Sequence, residues 1–108
     1  MSHARSLYKE AMAHFVSDRL DEAIEGYRKA LAADPKLAIA WNGLAMALAQ
    51  HGDLDGALEA GRKLVELEPD EPLAHTSLSI FYQRKGMIPE AEAEKALAMR
   101  LGMKRKPG

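Results

Sequence analysis

The chain has 108 residues, 47% of them hydrophobic, with a formal net charge of −1 and no cysteine. This length fits one domain, while the missing cysteines exclude disulfides and thiolate metal sites and the near-zero charge argues against nucleic acid as a main partner. No segment approaches the ~18 apolar residues of a membrane-spanning helix, and the N-terminus lacks the apolar core of a signal peptide. We therefore expect a soluble, cytoplasmic protein without a membrane span.

An internal repeat runs through the chain at a constant spacing. It is visible in three alanines, two glycines and two prolines: Ala23, Ala57 and Ala91; Gly52 and Gly86; Pro35 and Pro69. A period of this length, about 34 residues, is typical of helical repeat proteins. It predicts one domain of three units, at about residues 4–37, 38–71 and 72–105, with a short basic C-terminal tail at 102–108.

The first two units each predict a pair of helices joined by a tight turn. In the first unit Asp18 stands where the other units have glycine, and aspartate tolerates the left-handed backbone of such a turn. In the second unit Gly52 should end the first helix. Asp55 is predicted as the N-cap of the following helix, and Pro69 closes the unit because proline cannot continue a helix.

The third unit follows the same plan and ends in the basic tail. Pro89 falls near the first turn of its second helix, where a missing N–H costs little. Gly102 is predicted as a left-handed cap, with Met103 folding back on Leu97. The basic residues near the end favour the negative end of the helix dipole. An auxiliary contact of residues 104–106 with nucleic acid or anionic lipid is the alternative interpretation.

The pattern resembles the tetratricopeptide repeat, whose signature places Trp, Leu, Gly and Tyr on a first helix and Ala, Phe and Pro further on. The second unit matches best, with Trp41, Leu44, Ala45, Leu48, Ala57 and Pro69. The resemblance implies an all-α fold, a right-handed superhelical α-solenoid of three helix-turn-helix hairpins. It also implies a non-catalytic scaffold or adaptor for protein interaction rather than an enzyme.

Four residues depart from the expected pattern. Glu10 takes a leucine position in the first unit, where no preceding hairpin would cover it. Gly61 takes an aromatic position in the second unit, which indicates the close approach of a neighbour. Glu92 and Lys95 replace apolar residues in the third unit, as a terminal repeat requires for its solvent-facing side.

By resemblance, the first helices of the three hairpins line a concave groove that binds a peptide segment of a partner. The predicted groove residues, with Tyr8, Met46 and Ile80 as anchors, are Tyr8, Met12, Phe15, Ile39, Asn42, Met46, Leu73, Thr76, Ile80, Gln83 and Arg84. Methionines in such a surface adapt to varied partners. The alternative interpretation makes part of this face core, beginning with Phe15 and Val16.

Two other functions are weighed against this groove. Some tetratricopeptide domains hold acidic chaperone tails in a carboxylate clamp, but the matching positions here lack the required donors: Tyr8, Met12, Gly43, Leu73 and Ser77. We therefore expect no such clamp. Self-association is the other alternative, either end to end or groove to groove. A protein or peptide partner is preferred, with the chain a monomer or weak homodimer.

The histidines and acidic residues do not form a recognisable catalytic or metal site. His14 and His75 occupy Tyr and Trp positions of the repeat, so both are expected at the edge of the core, and neither has a histidine at i+4. The sequence has no HExxH motif and no glycine-rich phosphate loop. We expect no metal and no cofactor.

Overall fold

The computed structural model describes residues 2–105, and within this range the secondary structure consists of six α-helices. They are α1 (His3–Val16), α2 (Leu20–Ala33), α3 (Ala38–Gln50), α4 (Leu54–Leu67), α5 (Pro72–Arg84) and α6 (Ile88–Arg105). Each helix packs against the next along the chain, so that α1 with α2, α3 with α4 and α5 with α6 form three hairpins. The predicted all-α fold is confirmed.

The turns inside the hairpins adopt the left-handed backbone that the sequence predicts. The φ angles are 62° at Asp18, 95° at Gly52 and 84° at Gly86. In each hairpin the chain reverses at one residue in the left-handed region, which most residues other than glycine avoid. The same device therefore closes all three hairpins, once with aspartate and twice with glycine.

Two predictions about helix ends are wrong. The N-cap of α4 is Asp53, whose carboxylate accepts the Gly56 N–H at 2.9 Å. Because α4 begins at Leu54, Asp55 lies inside the first turn, where it pairs with Lys85.

At the C-terminal end, α6 continues through Gly102 to Arg105, so Gly102 is not a left-handed cap. Met103 is exposed and does not fold back. A single glycine costs a helix only about 0.5–1 kcal/mol, and here no proline interrupts residues 90–105. Of the predicted basic tail, residues 106–108 lie outside the described range.

Small residues set the distance between the helices. Ala23, Ala57 and Ala91 are all buried, as the repeat pattern predicts for the contact inside each hairpin. Between hairpins, a Cβ atom at Gly61 would lie 2.9 Å from Cδ2 of Leu78, which confirms the close approach predicted there. At the preceding boundary, a Cβ atom at Gly43 would lie 2.5 Å from Cε1 of Tyr27.

Gly43→Ala should therefore destabilise the protein, by the ~1–3 kcal/mol that overpacking typically costs. The matched control is Gly102→Ala, a helical glycine whose added Cβ would meet no atom within 4 Å. Removing that glycine should stabilise the helix by up to about 1 kcal/mol. Urea unfolding followed by circular dichroism measures both changes. Equal stability of the two variants would contradict the tight contact between Gly43 and Tyr27.

Candidate functional site

An exposed apolar residue recurs at the same repeat position in each hairpin. Met12 on α1, Met46 on α3 and Ile80 on α5 lie one repeat apart, and they are 41%, 45% and 49% exposed. Ile39 and Leu73, which also lie one repeat apart, are exposed nearer the start of α3 and α5. We call these five residues the apolar stripe. Soluble proteins rarely expose a contiguous apolar patch without a use for it, and such patches mark interaction sites.

The helical period explains why the apolar stripe faces outward. Most of the buried positions of α3 hold small or aliphatic residues: Ala40, Leu44, Ala45, Ala47, Leu48 and Ala49. The exposed residues Ile39, Asn42, Met46 and Gln50 follow one another at intervals of three or four, which places them on one face of the helix. The buried face is therefore fixed by packing, and only the opposite face is open to a partner.

The polar residues of the predicted groove are also exposed. Asn42, Thr76, Gln83 and Arg84 are exposed on the same two helices, α3 and α5. The Thr76 hydroxyl donates to the Pro72 carbonyl at 3.1 Å, as a helical threonine commonly does. All four side chains are thus polar and open to solvent.

Tyr8 and Phe15 are half-buried and pack against the core, whereas Val16 is exposed. The ring centroids of Tyr8 and Tyr27 are 5.8 Å apart, and the Tyr8 hydroxyl donates to the Met12 sulfur at 3.5 Å. Burial, with a smaller effect of Tyr8, raises the pKa of Tyr27 to about 12. Tyr8 therefore contributes partly to the packing of α1 against α2 inside the first hairpin.

Charge is distributed unequally between the helices. Apart from histidines, the basic residues of α1, α3 and α5 are Arg5, Lys9 and Arg84, and their one acidic residue is Glu10; α3 has no Asp, Glu, Lys or Arg. The apolar stripe thus lies in a neutral to weakly basic surface, although the whole chain has a net charge of −1.

The comparison with known proteins agrees with this architecture. A family model described as tetratricopeptide repeat matches residues 4–72. The chain belongs to the tetratricopeptide-repeat family. Its six described helices fit three repeats, so the fold predicted by resemblance is confirmed. No curated protein matches the sequence.

Several solved structures share this repeat fold. The crystal structure of MamA is 27% identical, with a TM-score of 0.92 over 94% of this chain and 60% of that chain. The second TPR of Spaghetti (RPAP3), bound to the HSP90 peptide SRMEEVD, is 21% identical, with a TM-score of 0.87 over 93% of both chains. The CopN–Scc3 complex is 22% identical, with a TM-score of 0.91 over 99% and 64% of the two chains. This chain thus spans less than two thirds of the MamA chain, and the two more distant likenesses concern the fold alone.

An apolar cleft that was not predicted from the sequence lies at the boundary between the first two repeats. Its volume is about 360 Å³, and it is lined by Arg28, Leu31, Ala32, Trp41, Leu44, Leu48, Gly56, Glu59 and Ala60. We call it the Trp41 cleft. No residue of the apolar stripe lines it. The sequence does contain a signal for this cleft, which is a difference in side-chain size between repeats. Leu48 and Ala60 are smaller than the residues one repeat later, Tyr82 and Glu94.

His75, weighed as a metal ligand, lies in the packed boundary between the second and third repeats. It is 3% exposed, with Nδ1 2.8 Å from a Glu94 carboxylate oxygen and Nε2 2.8 Å from the Pro69 carbonyl oxygen. Across residues 2–105, no three His, Cys, Asp or Glu side chains form a group that could hold a metal ion. Nor is any helix in this range long and apolar enough to cross a bilayer.

Burial alone would lower the pKa of His75, but the hydrogen bonds to Glu94 and Pro69 and the charges of Glu94 and Asp70 outweigh it, so the pKa is raised. Both groups facing the ring are acceptors when Glu94 is ionised, which favours a ring protonated on both nitrogens. The charged imidazolium is therefore stabilised by folding.

A raised pKa in the folded state makes stability depend on pH in a defined direction. The contribution of His75 should be complete below the unfolded pKa of about 6.5 and should be lost as the pH rises through the folded value. His75→Gln should therefore cost more stability near pH 5.5 than near pH 8.5, as measured by urea unfolding at each pH. Glu94→Gln should likewise reduce the pH dependence. A cost of His75→Gln that is constant with pH would contradict the protonated pair.

Proposed function

We propose that this tetratricopeptide-repeat chain is a non-catalytic interaction module that binds a peptide segment of a partner protein. The peptide lies along the concave side formed by α1, α3 and α5, in contact with the apolar stripe. The observation that supports this most is the recurrence of Met12, Met46 and Ile80, each about half exposed, in three successive hairpins. A surface that repeats its apolar residues in register suits an elongated ligand.

The chemistry of the stripe favours binding over catalysis. Its five side chains are aliphatic or thioether groups, with no nucleophile and no titratable proton among them. Full burial of such a side chain is worth about 1.5–3 kcal/mol, and these residues are already partly covered by neighbours. The stripe therefore supplies only part of the free energy of association, and apolar residues of the partner must supply the rest.

Other proteins with this fold are seen with a bound peptide or protein. The RPAP3 repeat domain is bound to a peptide, and the Scc3 structure is a complex with CopN. The ligand here should differ in chemistry from an acidic tail held by a carboxylate clamp. At one clamp position the Tyr27 ring occupies the space beside Gly43, so no donor side chain fits there without displacing the ring. The predicted partner segment is apolar, and its binding should weaken little with added salt.

Met46→Glu tests the proposal most directly. Because Met46 is exposed, the variant should keep its helicity and lose less than about half a kcal/mol of stability. It should bind at least about 30-fold more weakly to a peptide selected from a display library on the wild-type protein, since a charge would be buried in an apolar contact. Circular dichroism and fluorescence anisotropy measure the two effects.

Met103→Glu is the matched control, with the same substitution at an exposed methionine of α6. It should bind the selected peptides as the wild type does. If both variants bind them equally well, the apolar stripe is not the peptide site. If Met46→Glu unfolds, Ile80→Glu at the equivalent position of the next repeat replaces it in the same comparison.

Self-association is the alternative use of the same surface. Glu10 on α1 and Glu92 and Lys95 on α6 are exposed, and polar residues on such a surface disfavour the stacking of another hairpin against it. Two copies could still close stripe to stripe. Light scattering over a dilution series separates the two functions, because a monomeric adaptor keeps a constant mass whereas a self-assembling module gains mass with concentration.

A further inference from the structure

The Trp41 cleft has an internal counterpart one repeat further along the chain. The equivalent of Arg28 there is Arg62, and the equivalent of Leu48 is Tyr82. At this second boundary, Nη2 of Arg62 donates to the Tyr82 hydroxyl at 3.0 Å, and the guanidinium carbon lies 5.7 Å from the centre of the Tyr82 ring. At the boundary between the second and third repeats, the Tyr82 ring therefore lies beside the guanidinium of Arg62.

At the first boundary the arginine is kept, but the phenol is missing. Leu48 is buried and contributes only an aliphatic wall, while Gly56 and Ala60 leave the α4 side of the cleft without a large apolar side chain. Within the described range, the side chain of Arg28 makes no hydrogen bond or ion pair with another residue. The resulting space of about 360 Å³ lies at the lower end of the range for small-molecule pockets, and is ample for one aromatic side chain.

The walls and rim of the cleft select for a ring with a polar end. The indole N–H of Trp41 already donates to the Pro35 carbonyl at 2.7 Å, so the tryptophan offers the cleft only its apolar surface. Arg28 and Glu59 lie at the rim with opposite charges. For a carboxylate or an ammonium, attraction to one of these charges is offset by repulsion from the other, whereas a neutral hydroxyl can accept from Arg28 and donate to Glu59.

We propose that the Trp41 cleft binds a tyrosine side chain of a partner protein. The ring packs against Trp41 and Leu48, and its negative face meets the guanidinium of Arg28, as the Tyr82 ring meets Arg62. The hydroxyl remains at the rim, which suits the amphipathic character of tyrosine. This site is separate from the apolar stripe, so the two bind different parts of a partner or different partners.

The test uses p-cresol, which is the side chain of tyrosine without its backbone. Trp41 is the only tryptophan of the chain, so its indole N–H gives one assigned signal in a nitrogen–proton correlation spectrum. We expect a saturable shift of this signal with p-cresol, with millimolar affinity because so small a ligand has few atoms to contribute. N-acetyl-tyrosinamide should produce the same shift, and 4-methylcyclohexanol, which has no π face, a much weaker one.

Two variants define where and how the ring binds. Leu48→Tyr should fill the cleft from within, as Tyr82 does at the next boundary, and should abolish the p-cresol shift. Arg28→Met keeps an unbranched stem but removes the charge, and should weaken p-cresol binding by about two- to five-fold. Met46→Glu should bind p-cresol as the wild type does, so that a failure of the apolar stripe and a failure of the cleft are told apart.

Four results would overturn the proposal. The first is the absence of a saturable shift with p-cresol. The second is an equal shift with 4-methylcyclohexanol, which would make the cleft a simple apolar gap. The third is that p-cresol binds but N-acetyl-tyrosinamide does not, which would exclude a tyrosine side chain attached to a polypeptide as the ligand. The fourth is an unchanged p-cresol shift in folded Leu48→Tyr; should that variant not fold, unchanged affinity in Arg28→Met decides against the proposal instead.

Discussion

The fold depends on the close approach of successive hairpins, and each boundary achieves it by setting a small residue against a large one. At the first boundary the large residue, Tyr27, is on α2 and the small one, Gly43, is on α3. At the second boundary the order is reversed, with Gly61 on α4 and Leu78 on α5. Protein interiors are packed so densely that neither pair can gain a methyl group without displacing its neighbour.

This packing also determines what the surface can do. Because alanines and leucines occupy the buried positions of α3, the residues left outside form one narrow face, and three hairpins in register align three such faces. The partly exposed Met12, Met46 and Ile80 therefore occupy equivalent positions in three successive hairpins. A repeat protein can build an elongated binding surface in this way without any irregular loop.

The sequence was sufficient for whatever depends on local spacing. The all-α fold and the left-handed turns at Asp18, Gly52 and Gly86 were predicted correctly from the repeat period. The N-cap at Asp55 and the cap at Gly102 were wrong, because two aspartates, Asp53 and Asp55, flank the first residue of α4 and a lone glycine does not oblige a helix to end. The exact ends of helices depend on small free-energy differences that spacing does not reveal.

Features that depend on tertiary contacts could not be predicted in the same way. Phe15 is half-buried against the core and its neighbour Val16 is exposed, although both were predicted on the same face. His75 was expected at the edge of the core, but its hydrogen-bond partners, the Glu94 carboxylate and the Pro69 carbonyl, are identified only in the folded structure. The Trp41 cleft is still harder to predict from the sequence, since it is formed where side chains are small and no sequence motif marks it.

The two boundaries show how one backbone arrangement can be either closed or open to a partner. At the second, His75 with Glu94 and Arg62 with Tyr82 satisfy one another's hydrogen bonds, which a buried polar group requires if it is not to destabilise the fold. At the first, the same four positions hold Trp41, Ala60, Arg28 and Leu48, so the wall is apolar and the guanidinium remains at the rim. An apolar wall with an unpaired guanidinium is stable in water without a partner, because the charge is solvated and the cleft needs no hydrogen bond. Such a cleft can therefore stay empty in the free protein and still favour an aromatic ligand, whereas at the second boundary the Tyr82 ring already lies beside the equivalent arginine.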